Sequence, residues 1–198
     1  MKPTDTLRAE HRNILRIRGC LEVTANAIRE SNVVDVGDLR AMARFCREYA
    51  DKCHHAKEES HLFPFLEKRG MPHQHGPIAV MLHEHEQGRA AVGAMLAAVE
   101  SDSPDPDALR AFMRAADTFV SLLREHIGKE DHILFPMADD VLSADDQAEL
   151  ECIFEQIDQH EIGEATHREF ETLARELGEK YGVPGSSNEC NRPLCMGV

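Results

Sequence analysis

The chain has 198 residues, with 22 Lys and Arg against 36 Asp and Glu, for a formal charge of −14. That balance lacks the clustered cations that a nucleic-acid backbone or an anionic membrane surface requires. The length suffices for one domain with a full apolar core and no disulfide or metal staple, so a metal site here would serve function rather than folding.

Residues 140–198 carry 14 acids and 4 bases, the reading of which is a solvated acidic face that aids solubility. No apolar run approaches the ~20 residues that span a bilayer. The start, Met1-Lys2-Pro3-Thr4-Asp5, leads into charged sequence with no apolar segment of a signal peptide. A cytoplasmic, reducing setting is therefore expected, with the six cysteines as thiols. Twelve His in a chain without Trp single it out for a search for a metal site.

Leu7, Ile14, Ile17, Leu21 and Ile28 recur at helical spacing and predict a first helix over about residues 6–30. Asp38 is the expected cap of a second, whose apolar face carries Leu39, Met42, Phe45, Cys46, Tyr49 and Cys53. It runs toward Glu67, with Pro64 expected to kink or end it. Arg69-Gly70-Met71-Pro72 and Gly76-Pro77 mark a loop, and a third helix follows over 78–99. After the break Ser101-Asp102-Ser103-Pro104-Asp105-Pro106, a fourth helix over 107–141 carries Leu109, Phe112, Phe119, Leu122, Leu123 and Ile127. Ser143 with Asp146 reads as a capping box opening a fifth helix. Gly163 is expected to divide it from a sixth over 164–181, and Pro184-Gly185-Ser186-Ser187-Asn188 to begin a mobile tail. No run alternates with period two, so no strand is predicted. The expected fold is all-α: an antiparallel four-helix bundle over residues 1–141, C-terminal helices over 142–182 packed on it, and a tail over 183–198.

The chain repeats itself. His54-His55-Ala56-Lys57-Glu58-Glu59-Ser60-His61-Leu62-Phe63-Pro64-Phe65 aligns with His126-Ile127-Gly128-Lys129-Glu130-Asp131-His132-Ile133-Leu134-Phe135-Pro136-Met137 at an offset of 72, and six of twelve positions match. Glu10-His11 recurs as Glu84-His85 at an offset of 74. A bundle of two related hairpins gathers these residues around one axis. His and Glu four apart rise about 6 Å and share a helix face. Two such faces can hold two metal ions, with carboxylates bridging and imidazoles at outer positions, a donor set that suits iron or manganese.

Five His-x-x-x-Glu pairs occur: His54/Glu58, His55/Glu59, His126/Glu130, His160/Glu164 and His167/Glu171. Only His54/Glu58 and His126/Glu130 hold matching places before Leu-Phe-Pro and its counterpart, where apolar sequence shields a buried site. His55/Glu59 faces Ile127/Asp131 across the repeat, so His54 is preferred, with His55 outside the ligand set.

These residues, with Met81-Leu82-His83-Glu84-His85-Glu86-Gln87-Gly88-Arg89 and Leu134-Phe135-Pro136-Met137, resemble the hemerythrin-like, or HHE cation-binding, family. The resemblance covers about residues 5–141 strongly and extends more weakly to about 181, where some bacterial members carry a similar tail containing Gly163 and His167. It implies His11 and His54 on one iron, His85 and His126 on the other, Glu58 and Glu130 as bridges, and a solvent-derived oxo or hydroxo bridge. Met81 stands where the oxygen-carrying members place a fifth His, which argues against simple reversible oxygen carriage. His83, His160 and His167 do not have the spacing to replace it.

Each iron would then keep an open position, where a small molecule can be bound, polarised or reduced. The resemblance implies a protein that binds or senses a small diatomic ligand, dioxygen or nitric oxide. The alternative is an enzyme that reduces nitric oxide or disposes of peroxide at the same centre. A weaker alternative is iron handling or repair of iron centres, without the cysteine-bearing N-terminal domain that some repair proteins carry.

Among the remaining residues, His160 and His167 are read as exposed, His73 and His75 as solvated, and His61 and His132 as outside the ligand set. Tyr49 is read as a core aromatic. Cys20, Cys46, Cys53 and Cys152 are read as small buried hydrophobes, and Met42, Met81, Met95 and Met113 as core. Cys190 and Cys195, in the polar tail, are an incomplete metal clip and read as inert.

Overall fold

A computed structural model describes residues 2–31, 33–161 and 164–185, without the side chains at 160, 161, 164 and 165. Four rods form the bundle. The first is α1 (Pro3–Ser31). The second joins α2 (Val36–Phe45), the π-helical segments π1 (Cys46–His55) and π2 (Glu58–Leu62), and α3 (Phe63–Lys68). The third is α4 (Pro77–Ala98), and the fourth joins α5 (Pro106–Lys129), π3 (Glu130–Leu134) and α6 (Phe135–Val141). Short connections make successive rods antiparallel. A C-terminal extension follows: α7 (Ala144–Gln156), π4 (Ile157–Glu161) and α8 (Glu164–Tyr181).

The termini follow from local chemistry. Asp35, not Asp38, caps α2: its carboxylate accepts the Asp38 N–H at 3.3 Å. The Asp38 carboxylate instead accepts the Tyr181 hydroxyl at 2.6 Å and pairs with Lys180 at 2.5 Å, tying the end of α8 to α2. Ser143 and Asp146 form the expected capping box of α7. Gly76, before α4, sits at φ 80° and ψ −155°, a backbone region that only glycine enters without strain.

Pro64 neither ends nor breaks the second rod. The Phe63 N–H bonds back to the Glu58 carbonyl, and the Phe135 N–H to that of Glu130, five residues away in each case. Each proline then falls in the first turn of the next α segment, where its missing N–H costs nothing. The repeat therefore carries a wide turn in each copy, and each begins at the Glu of the candidate site.

Two apolar clusters fill the bundle. One gathers Ile17, Leu21, Phe45, Tyr49, Met95 and Phe112, and the other Leu7, Phe63, Leu66, Ile78, Met81 and Phe135. Burial of each such side chain contributes roughly 1.5–3 kcal/mol. On α1, Glu10 and His11 fall between Leu7 of one cluster and Ile14 of the other. On the second rod, His54, His55 and Glu58 fall between Ala50 and Leu62, and on α4 His85 falls between Met81 and Ala91. The polar layer thus sits between two dry ones. The extension spans both: Leu150 and Phe154 of α7 join the second cluster, and Ala174 and Leu177 of α8 join the first. Among the described residues, no helix is long and apolar enough to cross a membrane.

Candidate metal centre

The structure brings all six expected residues into this polar layer, each at most 3% exposed. They form two groups with donor atoms within 4.8 Å of one another: His11, His54, Glu58 and Glu130, and His55, Glu58, His85 and His126. His11 Nε2 lies 3.2 Å from Glu130, and His126 Nε2 3.1 Å from it. His54 Nε2 and His85 Nε2 lie 3.7 and 3.4 Å from the two oxygens of Glu58. Glu58 belongs to both groups, and Glu130 reaches His11 on one side and His126 and His85 on the other.

The structure brings His55 as well as His54 into the two groups, although His55 faces Ile127 across the repeat. On an α-helix successive side chains diverge by about 100°. Both histidines lie in π1, whose wider turn carries more residues per revolution and fans them through a smaller angle. Both rings therefore point inward, toward different groups. His55 stacks on His85 with ring centroids 3.8 Å apart and planes 14° from parallel.

Each of the five imidazoles has a carboxylate behind it. His11 Nδ1 lies 2.9 Å from Asp131, His54 Nδ1 2.8 Å from Glu10, and His55 Nδ1 3.4 Å from Asp51. His85 Nδ1 lies 2.6 Å from Glu59 and His126 Nδ1 3.0 Å from Glu84. An ionised carboxylate only accepts, so Nδ1 carries a proton, and each ring turns Nε2 to the centre, with a lone pair there when the ring is neutral. The pattern obeys the repeat. Glu10 holds His54 and Lys57, as Glu84 holds His126 and Lys129. Glu59 and Asp131 reach across to the first His of the opposite hairpin. Phe135 stacks on His11 and Phe63 on His85, walling the layer at matching places. The Glu-His dipeptides and the repeated Lys were the sequence signal for this support, which repeat matching alone did not interpret.

The inward atoms fit a pair of cations. Both oxygens of Glu58, both of Glu130, and Nε2 of His85 and His126 are buried without a hydrogen-bond partner. His11 Nε2 and His54 Nε2 face each other at 3.1 Å, two lone pairs that only a proton or a cation reconciles. Burial, then the charge of Glu130, pushes Glu58 well above the ordinary carboxylate range. Against burial, His126 and His11 hold Glu130 below it. Against burial, Glu130 and Glu84 raise His126 to about 9. Burial and the neighbouring His85 push His55 well down, keeping it neutral. Unpaired buried charge of this kind costs several kcal/mol, on the order of 3–5, unless compensated.

The other candidates separate cleanly. Met81 is buried in the apolar layer, and His83 is exposed beside Gln87. His73, His75 and His132 are exposed, and His61 is partly so. His167 is not the exposed residue expected: it packs against Tyr49 and lies 3.8 Å from Glu10 and 3.9 Å from Asp158. Tyr49 is buried and its hydroxyl accepts from Asn13 at 3.3 Å. Cys20, Cys46 and Cys53 are buried, whereas Cys152 faces solvent on the outer side of α7. Met42 and Met95 are core, and Met113 packs on it partly buried. Gly163, the side chains of His160 and Glu164, the tail from residue 186 and its Cys190 and Cys195 lie outside the described residues.

A four-helix bundle with paired His-x-x-x-Glu faces around a dry polar layer defines a cation-binding helical protein. The hemerythrin HHE cation binding domain matches residues 2–138, and the chain belongs to that family. Proteins of Mycobacterium tuberculosis and Mycobacterium bovis, both described as uncharacterized, are 27% identical over 188 residues, covering 91% of this chain and 70% of each relative. The iron-sulfur cluster repair protein YtfE of Salmonella newport is 36% identical over 89 residues, 43% of this chain and 40% of that protein. No solved structure matches.

Proposed function

We propose that the chain is a non-haem di-iron protein that binds or senses a small diatomic ligand, dioxygen or nitric oxide. His11 and His54 would hold one iron, His55, His85 and His126 the other, with Glu58 and Glu130 bridging and a solvent-derived oxo or hydroxo group completing the pair. The observation that carries the reading is the set of buried, partnerless oxygen and Nε2 atoms aimed into one volume. Iron held there supplies reversible coordination of a small ligand and one-electron chemistry toward it.

The chain's own contribution is unequal on the two sides. It gives three imidazoles to one and two to the other, so the His11/His54 side has one donor fewer and room for a ligand. This revises the expectation of an open position on each iron. The Nδ1 carboxylates fix ring orientation and raise donor basicity. Phe63, Phe135 and the apolar layers keep water out.

The resemblance to the YtfE protein supports a second reading, handling or repair of iron centres. Iron per chain and the electronic spectrum of the oxidised protein test the site: about two irons are expected. Glu58→Ala and Glu130→Ala should lose most of that iron while His167→Ala keeps it, and equal iron in all three would overturn the assignment. Anaerobic nitric oxide added to the reduced protein separates the functions. A stoichiometric nitrosyl supports binding, catalytic nitrous oxide supports the enzymatic alternative, and release of iron to a chelator supports repair.

A further inference from the structure

The two hairpins are each other's reference, so a place where one departs from the other stands out. A cavity of about 310 Å³ opens to solvent between π1 and α4, with His55 in its wall. Its walls include Ala50, Asp51, Gly88 and Val92, with Phe119 of α5 behind them. Through the repeat offsets, Gly88 corresponds to Ile14, Asp51 to Leu123 and His55 to Ile127. Those three counterparts are 3–5% exposed and fill the apolar core. The equivalent junction, where α1 meets α5, thus carries three large aliphatic side chains where this one, between π1 and α4, has Gly88, Asp51 and His55 and an open space. A cavity retained at this size beside packed core forfeits burial and dispersion energy, and it lies in the range of small-molecule sites.

The mouth has a charge. Arg89 is satisfied by Asp51, Glu59 and Glu86 at 2.6–2.8 Å, and Lys52 by Glu48 at 3.0 Å. Arg47, exposed at the rim, has no ion pair or hydrogen bond among the described residues. An unpaired cation at this mouth contrasts with a chain of net charge −14. The lining is apolar within, and the free charge at the entrance is positive.

We propose that this cavity binds a small monoanion with an apolar body, a short-chain carboxylate being the simplest, with its tail against Val92 and Phe119 and its head toward Arg47. Such a ligand would lie against the Asp51–His55 contact, outside the cation pair, and its binding does not depend on the iron chemistry proposed above.

Calorimetric titration of the purified protein with hexanoate, against hexylammonium and hexanol at equal ionic strength, tests it. Saturable binding of one hexanoate per chain is expected, with hexanol about fivefold weaker and hexylammonium not bound. Gly88→Ile, which copies Ile14, should abolish binding. The space for its first carbon is open, since a Cβ there would meet Phe119 and Leu122 only at 3.7 and 3.8 Å. Ala50→Phe fills the cavity from the opposite wall if that variant fails to fold, and the surface variant Arg47→Glu should weaken binding about fivefold. No saturable heat with the wild-type protein overturns the proposal, as does equal binding of the amine. Hexanoate binding that survives in folded Gly88→Ile or Ala50→Phe also overturns it, and would place the carboxylate elsewhere, the metal included.

Discussion

Lys57 and Lys129 hold the same place in the repeat, and each donates to the Glu that supports a His of its own hairpin. Their surroundings differ. Lys129 is 32% exposed on the rim of the bundle, whereas Lys57 is fully buried beneath the extension, bonded also to Asp158 at 2.6 Å and lying near the Phe154 ring. One half of the centre is thus open to water behind its first row of carboxylates, and the other is sealed by α7, π4 and α8. An identical motif therefore carries different energetics. A lysine that keeps part of its hydration gains little from its partner, while a buried one both pays desolvation and leaves two acids stranded if removed.

The largest expected effect follows directly. Lys57→Met leaves the buried Glu10 and the partly exposed Asp158 without their lysine and should cost about 3–5 kcal/mol in denaturant unfolding. Lys129→Met should cost about 0–1 kcal/mol. Similar losses in the two variants would erase the distinction between the halves.

The second contrast lies inside the centre. His55 has Ile127 as its counterpart, so His55→Ile makes the two hairpins alike and leaves two imidazoles on each side. Losing a donor should cost no less than losing an outer partner, about 10–100-fold in cation retention, and on the His85/His126 side alone. Dialysis against graded chelator, followed by iron per chain, reads it: one iron should leave early and one should stay. Two irons leaving together as in the wild-type protein would remove His55 from the ligand set.

Much of this architecture was legible in the residues. Leu7, Ile14, Ile17 and Leu21 mark the buried face of α1 by spacing alone, and the repeat brings His11, His54, His85 and His126 to one level because equivalent residues of related hairpins meet at the axis. What was not legible has a common physical source, backbone that departs from α geometry or contacts made far along the chain. No residue type announces a π turn, so His54 and His55 looked like competitors when the wide turn serves both. Pro64 read as a breaker because the preceding turn that absorbs it was not foreseen. Asp38 had the right chemistry for a cap, but Asp35 precedes the helix and Asp38 is claimed by Tyr181 and Lys180, more than 140 residues away. His167 looked exposed on an acidic helix because its neighbours, Glu10 and Tyr49, come from other rods.

His167 gives the smallest expected effect. It sits among carboxylates from three elements: Glu10 of α1, Asp158 of π4 and Glu171 of α8, at 3.8–3.9 Å, with Tyr49 against its ring. Glu10 first, against partial burial, raises its pKa above the ordinary value. A folded pKa above the unfolded one means the protonated ring stabilises the fold, fully below about pH 6.5, and that contribution fades as pH rises through the folded value. Raising the pH from 6 to 8.5 should therefore loosen the sealed half by about 0.5–1 kcal/mol. His167→Gln should be less stable than the wild-type protein at pH 6 and nearly equal to it at pH 8.5. A His167→Gln deficit that is constant across the two pH values would show that the ring holds α8 by packing on Tyr49 and not by charge.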